Sequence, residues 1–246
     1  MLKRKKEEKK EEPPRDPIWF KEVECKACGA AQKVPRVKPS FLKVRSVEPD
    51  FHKNYALVNP LLYAVTVCNE CNYGARNEDY DKQPLDYHKE IIDLALAIKK
   101  SGKAVKFENG REVSYDEAVK KHLLAISFYK HFKPENPNII SGLYMHIAWM
   151  YRERGNVEKE NEYLKKALDY YVKTFEKGVH IPEKIGVVGI MYLAGEINRM
   201  LGNNSEAINW FSRACQNDEI EAYPNIRNLT KDAWEKITEE KRKEKH

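Results

Sequence analysis

Apolar residues recur at helical intervals from Pro84 to about residue 230. Pro84 suits a helix start, and Ile91 begins an apolar face that ends at Ser101-Gly102. Further along, Ser114 and Glu117 have the spacing of a capping box, in which the serine accepts a free amide while the glutamate reaches back. The pattern therefore predicts a mainly α-helical domain over residues 84–230.

Two segments of this domain resemble a tetratricopeptide unit, in which small residues let two helices approach and large residues fill the space between them. The first segment has the matching residues Tyr144, Ile147, Ala148, Tyr151, Gly155, Leu164, Ala167 and Leu168. The second has Gly195, Gly202, Ala207, Phe211 and Ala214. The residues between them predict that the helix after Gly155 extends to about Lys177. We predict a tetratricopeptide-like array of helical hairpins, completed by neighbouring elements because two units are too few for a free solenoid.

The segment from residue 18 to residue 83 has a different pattern, which favours short strands. Apolar residues alternate from Leu61 to Val67, and this alternation predicts a strand. Four prolines interrupt the preceding stretch and argue for strands and turns over helices: Pro35, Pro39, Pro49 and Pro60. We predict a small β-rich module at this end of the chain.

A second β-like pattern lies inside the helical region. Val105 to Phe107 and Val113 flank Asn109-Gly110, a dipeptide that is typical of hairpin turns. We predict a small hairpin or a tight turn there.

Two cysteine pairs lie in the β-rich module, Cys25 with Cys28 and Cys68 with Cys71. Thiolates at this spacing supply the four sulfurs of a closed tetrahedral zinc site. The residues that follow the pairs, Gly29 and Asn72, both tolerate the left-handed backbone conformation that such turns need. We predict one structural Zn²⁺ in a zinc ribbon with a long central insertion.

Two alternatives remain for this site. Iron is the rival metal, because rubredoxin-like sites use the same pair of cysteine turns. His52 lies between the cysteine pairs and offers a substitute ligand, although four sulfurs already complete the shell. A complete shell leaves no position for water or substrate, so we predict no catalysis at the metal.

Composition and charge restrict the class of protein. The formal net charge of +6 is a small excess on a chain of 246 residues, and it does not by itself require nucleic acid. The composition of residues 1–17 predicts a disordered charged tail, and that of residues 231–246 predicts a charged C-terminal helix or tail. No apolar run approaches the roughly 20 residues of a membrane span, and the N-terminal stretch lacks the apolar core of a secretory signal. We expect a cytoplasmic protein without a membrane partner.

The order of these features resembles the "domain of unknown function 2225" family. The resemblance rests on Cys25 and Cys28 with Gly29, on Asp50-Phe51 with Tyr55, and on two runs, 59–63 and 67–74. It covers residues 18 to about 215. Where the family follows its last cysteine with Gly-Tyr-Ala, this chain has Asn72-Tyr73-Gly74, which leaves the cysteines untouched. The resemblance implies a split four-cysteine zinc ribbon followed by tetratricopeptide-like helices, and it brings no assigned activity.

One candidate binding surface follows from the repeat geometry. In tetratricopeptide units the first helix of each pair lines the concave face, and here that face, which we call the helical groove, comprises Met145, Trp149, Arg152, Tyr192, Glu196 and Arg199. Aromatic rings beside arginines suit an extended peptide or an acidic tail. The alternative is that these side chains pack against the ribbon or the last helix.

A second candidate surface is the basic stretch between the cysteine pairs. Lys38, Lys43 and Arg45 can bind phosphates, while Phe41 and Phe51 can stack on bases. The alternative is that these cations only solvate the module and offset the thiolate charge.

The chain has no sequence motif that marks a catalytic site. It has no HExxH pair, no nucleophile elbow and no phosphate-binding glycine loop. We therefore predict a non-enzymatic, zinc-stabilised adaptor that binds a protein or peptide through the helical groove. A nucleic-acid-binding accessory protein is the alternative, and an enzyme with an unrecognised site is the third possibility.

Overall fold

The computed structural model describes residues 16–82, 85 and 88–243 of the chain. Almost all of the predicted tail at residues 1–17, and the predicted helix start at Pro84, lie outside the described residues. The described part is mainly helical with a small N-terminal β region, which confirms the predicted fold class. In that part of the chain, no helix combines the length and apolarity that crossing a bilayer requires.

The β-rich module consists of short antiparallel pairs. β1 (Ile18–Glu24) pairs with β2 (Ala31–Val37), β3 (Val44–Val47) with β4 (Lys53–Tyr55), and β5 (Val65–Val67) with β6 (Gly74–Arg76). The predicted strand from Leu61 to Val67 is only half confirmed. Its first half is a 3-10 turn, because Pro60 suits a helical start and the Asn59 side chain accepts the Leu61 amide at 3.0 Å.

The helices of the described residues follow in order: α1 (Asn77–Lys82), α2 (Lys89–Ser101), α3 (Tyr115–Tyr129), α4 (Pro137–Glu153), α5 (Val157–Lys177), α6 (Gly186–Met200), α7 (Asn204–Cys215) and α8 (Pro224–Lys243). α4 packs against α5, and α6 packs against α7, as two helical hairpins. The tetratricopeptide assignment of these hairpins stays a prediction.

Several helix ends lie where the sequence predicts them. The Glu117 amide donates to Ser114 Oγ at 3.1 Å at the start of α3, which confirms the serine cap. α2 ends at Gly102, which has a left-handed φ of 66°, and α5 ends at Lys177. These signals are local in the chain, so the sequence is sufficient to place them.

Two predicted elements differ from the structure. The stretch from Val105 to Val113 contains no strand, because the backbone of residues 105–107 bonds to distant side chains instead of to a second strand. In addition, α8 continues across the predicted boundary between residues 230 and 231. The predicted C-terminal helix is therefore present, and it packs on the core through the buried Ala233 and Ile237.

One hydrophobic core runs from the β-rich module into the helices. The Tyr73 ring meets the Phe128 ring edge-on, with centroids 5.4 Å apart. Gly74 of β6 lies directly on α3, where a Cβ atom would stand only 3.0 Å from the Ala125 nitrogen. The two predicted modules therefore share a packed interface between the cysteines and α3.

Candidate functional site

The four cysteines form one cluster. Sγ of Cys25 lies 3.6 Å from Sγ of Cys71, and Sγ of Cys28 lies 3.7 Å from Sγ of Cys68. All four sulfurs lie within 4.8 Å of one another. A tetrahedral ZnS₄ centre with bonds of about 2.3 Å places its sulfurs roughly 3.8 Å apart, so the cluster matches the size of a tetrahedral metal site.

Two equivalent backbone turns place the sulfurs. In the first, the Gly29 amide donates to the Cys25 carbonyl at 2.8 Å, and Gly29 has a φ of 73°. In the second, the Asn72 amide donates to the Cys68 carbonyl at 2.9 Å, and Asn72 has a φ of 56°. Both left-handed residues are the ones that the sequence predicts. The turns direct each cysteine pair to one side, so the pairs close on a common centre.

A segment between α2 and α3 covers the second turn. The Asn72 side chain accepts the Val105 amide at 2.7 Å and donates to the Val105 carbonyl at 2.8 Å. The Asn69 side chain accepts the Phe107 amide and donates to the Phe107 carbonyl, each at 2.9 Å. We call residues 105–107 the covering segment. The sequence does not predict this arrangement, because an asparagine side chain in or next to a CxxC turn gives no indication of the residues that it binds.

Three of the four cysteines are buried, and Cys28 is half-buried. Tyr73 and Tyr80 are fully buried, and burial followed by the negative charge of Cys25 raises the pKa of both hydroxyls. Gln32 braces the second turn from β2, because it accepts the Asn69 amide at 3.1 Å and donates to the Val67 carbonyl at 3.0 Å. These residues hold four thiolates in place and leave little room for a substrate.

His52 does not belong to this cluster. Its Nδ1 lies 3.2 Å from Glu48 Oε1 and its Nε2 lies 2.9 Å from Glu153 Oε1. Its ring stacks on Trp149 at a centroid distance of 5.1 Å. Burial lowers the pKa of His52, but the bond to Glu153 and the charge of Glu48 outweigh it and raise the pKa overall. Both ring nitrogens face carboxylates, and only the imidazolium form can donate to both.

The helical groove is filled by the chain itself. The β3–β4 hairpin carries its tip, residues 48–52, against α4 and α6. Asp50 is 2% exposed, and its Oδ2 accepts from Trp149 Nε1 and from Arg152 Nη2, each at 2.8 Å. The Tyr192 hydroxyl donates to the Pro49 carbonyl at 2.9 Å. Three groove residues thus bind an acidic segment of their own chain.

Arg152 is the centre of this contact. Its Nη1 donates to Glu48, its Nη2 to Asp50, and its Nε to Glu160 of α5 at 2.7 Å. Burial opposes its charge, but Asp50 and Glu160 together raise its pKa. Glu160 completes the contacts of the guanidinium group.

The other predicted groove residues also lie in contacts within the chain. Met145 is 1% exposed, and Glu196 is equally buried and pairs with Arg199 through both carboxylate oxygens, at 2.7 and 2.8 Å. The six positions lie on α4 and α6, and they do not form an open surface. The binding of a separate partner in the groove stays a prediction.

The basic residues predicted for nucleic acid do not converge on one point. Lys38 Nζ donates to the Asp16 carbonyl at 2.7 Å, and Arg45 Nη2 donates to the Ala56 carbonyl at 3.3 Å. Lys43 is exposed on the approach to β3. Two of the three cations thus bind backbone oxygens of their own module.

The chain thus combines a β-rich module, whose four clustered cysteines could bind a metal ion, with a mainly helical domain. A model of the family described as "Uncharacterized protein conserved in bacteria (DUF2225)" matches residues 18–237, and the chain belongs to that family. This confirms the resemblance that the cysteine pairs and the runs around Asp50 and Asn59 indicate. No curated protein and no solved structure matches the chain.

Proposed function

We propose that this protein is a cytoplasmic, non-enzymatic adaptor that is stabilised by one structural Zn²⁺ and binds a protein or peptide partner. The sulfur geometry supports the metal, since four thiolates complete a zinc shell and leave no open position for chemistry. The cysteines carry no disulfide, which suits a reducing compartment.

The observation that carries the adaptor role is the β3–β4 hairpin. Its tip occupies the helical groove, so the helices already bind an acidic peptide segment. The rest of the hairpin is exposed: Val44 is 45% and Val47 is 56% accessible. We place the partner on this exposed hairpin, because the groove is not open while the tip occupies it.

The test is affinity capture with matched variants of the full chain. Val44→Ser with Val47→Ser removes the exposed apolar side chains of the hairpin. Val157→Ser with Val179→Ser is the control, because those valines are 62% and 43% exposed on other elements. We expect the wild type and the control to capture the same proteins and the hairpin variant to lose them. Equal capture by all three chains, or none above empty beads, would contradict the proposal.

A nucleic-acid-binding role is the second candidate. It is favoured by the exposure of Lys43, Arg45 and Lys53 on a two-stranded ribbon. The adaptor proposal expects no shift of a labelled oligonucleotide at low salt. A shift that disappears in Lys43→Glu with Arg45→Glu would favour the nucleic-acid role instead.

A further inference from the structure

A cleft separates the β3–β4 hairpin from the N-terminus of α8. It consists of two adjoining cavities of about 500 and 420 Å³, both of which are lined by Val47, Phe51 and Asn225. Its apolar wall comprises Val47, Phe51, Ile185, Tyr223, Ile226 and Leu229. We call this space the hairpin–α8 cleft, and it borders the helical groove, because the Phe51 ring in its wall packs on the Tyr192 ring.

The apolar wall is held in place before any ligand binds. The Tyr223 ring lies over Gly186, where a Cβ atom would be 2.6 Å from the ring, and its hydroxyl donates to the Glu183 carbonyl at 3.0 Å. Phe51 has a left-handed φ of 71°, and its ring lies 5.7 Å from the Tyr192 ring. A preformed apolar wall lowers the entropy lost when a ligand binds.

One end of the cleft is positively charged. Lys53 and Lys184 line it, and neither forms an ion pair with a carboxylate of the described residues. The first amides of α8, at Asn225 and Ile226, lack intrahelical acceptors and lie at the positive end of the helix dipole. Both features favour an anionic group at this end.

The other end has the opposite character. Glu48 and Asp232 line it, but Glu48 is already engaged by Arg152. The cleft therefore offers an apolar wall with unpaired cations at one end only. This asymmetry suits a ligand that carries its apolar and acidic groups side by side in one orientation.

We propose that the hairpin–α8 cleft binds a short acidic peptide segment of a partner protein, with a bulky apolar side chain against Phe51 and Tyr223 and carboxylates at Lys53 and Lys184. This inference rests on the proposed adaptor function, and it specifies the chemical character of the segment that the adaptor binds. A nucleic acid fits less well, since most of the lining is apolar and it contains only two lysines.

The probe is a displayed library of random hexapeptides, selected on the full zinc-loaded chain and then measured singly by fluorescence polarisation. We expect enriched peptides to carry a large apolar residue beside Asp or Glu. Lys53→Glu with Lys184→Glu should weaken their binding by roughly tenfold or more, because it reverses the charge at the acidic subsite. Lys120→Glu with Lys165→Glu makes the same change in net charge on α3 and α5 and should leave binding unchanged.

Four results would overturn the inference. The first two are a selection that enriches no peptide over an unrelated protein, and a selection whose enriched peptides lack acidic residues. The third is an equal weakening of peptide binding by both charge-reversal variants. The fourth is self-association of the chain that blocks the cleft. Failure here differs from failure of the adaptor role. If affinity capture still depends on Val44 and Val47 while no acidic peptide is selected, the adaptor stands and only this partner chemistry is wrong.

Discussion

Asp50 connects the β-rich module to the helices through buried polar contacts. It is almost fully buried, and it receives one hydrogen bond from Trp149 and one from Arg152. Removing one member of a buried ion pair leaves the other charge without compensation, and this is strongly destabilising. The Asp50-Phe51 run that carries the family resemblance therefore has a structural explanation.

Asp50→Asn tests this role. We expect a loss of roughly 2–4 kcal/mol in the free energy of unfolding, because Arg152 loses a buried charged partner while the shape of the site is kept. Asp169→Asn is the control, since Asp169 is exposed on α5, and it should stay within about 0.5 kcal/mol of the wild type. Urea titration of both variants measures the difference. Equal stability of the two would show that the hairpin tip contributes nothing to folding.

His52 predicts a pH dependence of stability. Its pKa is raised above the ordinary 6.5 in the folded state, so its contribution is complete below that value and is lost as the pH rises through the raised pKa. The free energy of unfolding of the wild type minus that of His52→Gln should therefore be larger at about pH 6 than at about pH 9. A difference that grows with pH would contradict the charged contact with Glu48 and Glu153.

The comparison with His52→Gln is needed because two other histidines change the free energy of unfolding with pH in the opposite direction. Burial lowers the pKa of His122 to about 4 and that of His146 to about 3, so the unfolded chain takes up protons first and stability falls as the pH drops below 6.5. Their ring nitrogens lie 3.4 Å apart in the core. The wild type and His52→Gln share most of this loss, because burial, its largest cause, is the same in both chains.

At the scale of elements, the hydrogen bonds between Asn69 and the covering segment can be tested by mutation. Asn69→Ala removes both hydrogen bonds to Phe107, and we expect a loss of about 1–3 kcal/mol because the amide and carbonyl of Phe107 lose their partners. Hydrogen exchange at Phe107 should accelerate. Asn228→Ala, on the exposed side of α8, should leave that amide protected. Unchanged exchange in the first variant would mean that other contacts hold the segment.

The elements that the sequence predicted correctly are those whose signals are local. The cap at Ser114, the glycine end at Gly102 and the length of α5 each depend on neighbours in the chain. Likewise, the convergence of the four cysteines follows from the spacing of the two pairs, while their binding of a metal stays a prediction. Predictions based on such signals need no knowledge of tertiary contacts.

The elements that the sequence could not predict depend on partners far along the chain. Residues 105–107 have a strand-like composition, but their backbone pairs with Asn69 and Asn72. The predicted groove residues lie on α4 and α6, but the segment that covers Trp149 and Arg152 comes from residues about 100 positions earlier in the chain, as in the pairing of Arg152 with Asp50. Nothing local at Trp149 or Tyr192 distinguishes a peptide-binding face from a face that packs on its own chain.

At the scale of the molecule, the shared core predicts how metal loss spreads. α3 packs on β6 through Gly74 and Ala125, whereas α4 to α7 pack mainly on one another. Removing the metal with a chelator should therefore raise hydrogen exchange in Tyr115–Tyr129 well before it rises in α7. Simultaneous loss of protection in α3 and α7 would show that the chain unfolds as a single cooperative unit. Unchanged hydrogen exchange in α3 would show that the two modules are independent.

Native mass spectrometry of the purified chain measures whether the four clustered cysteines bind one zinc ion. The wild type and Cys215→Ser should each carry the mass of one zinc ion, because Cys215 lies outside the sulfur cluster. Cys28→Ser and Cys68→Ser should lose most of that zinc, since each removes one of the four ligands. A wild-type chain without metal or with iron, or a Cys215→Ser chain that alone loses its metal, would contradict the account.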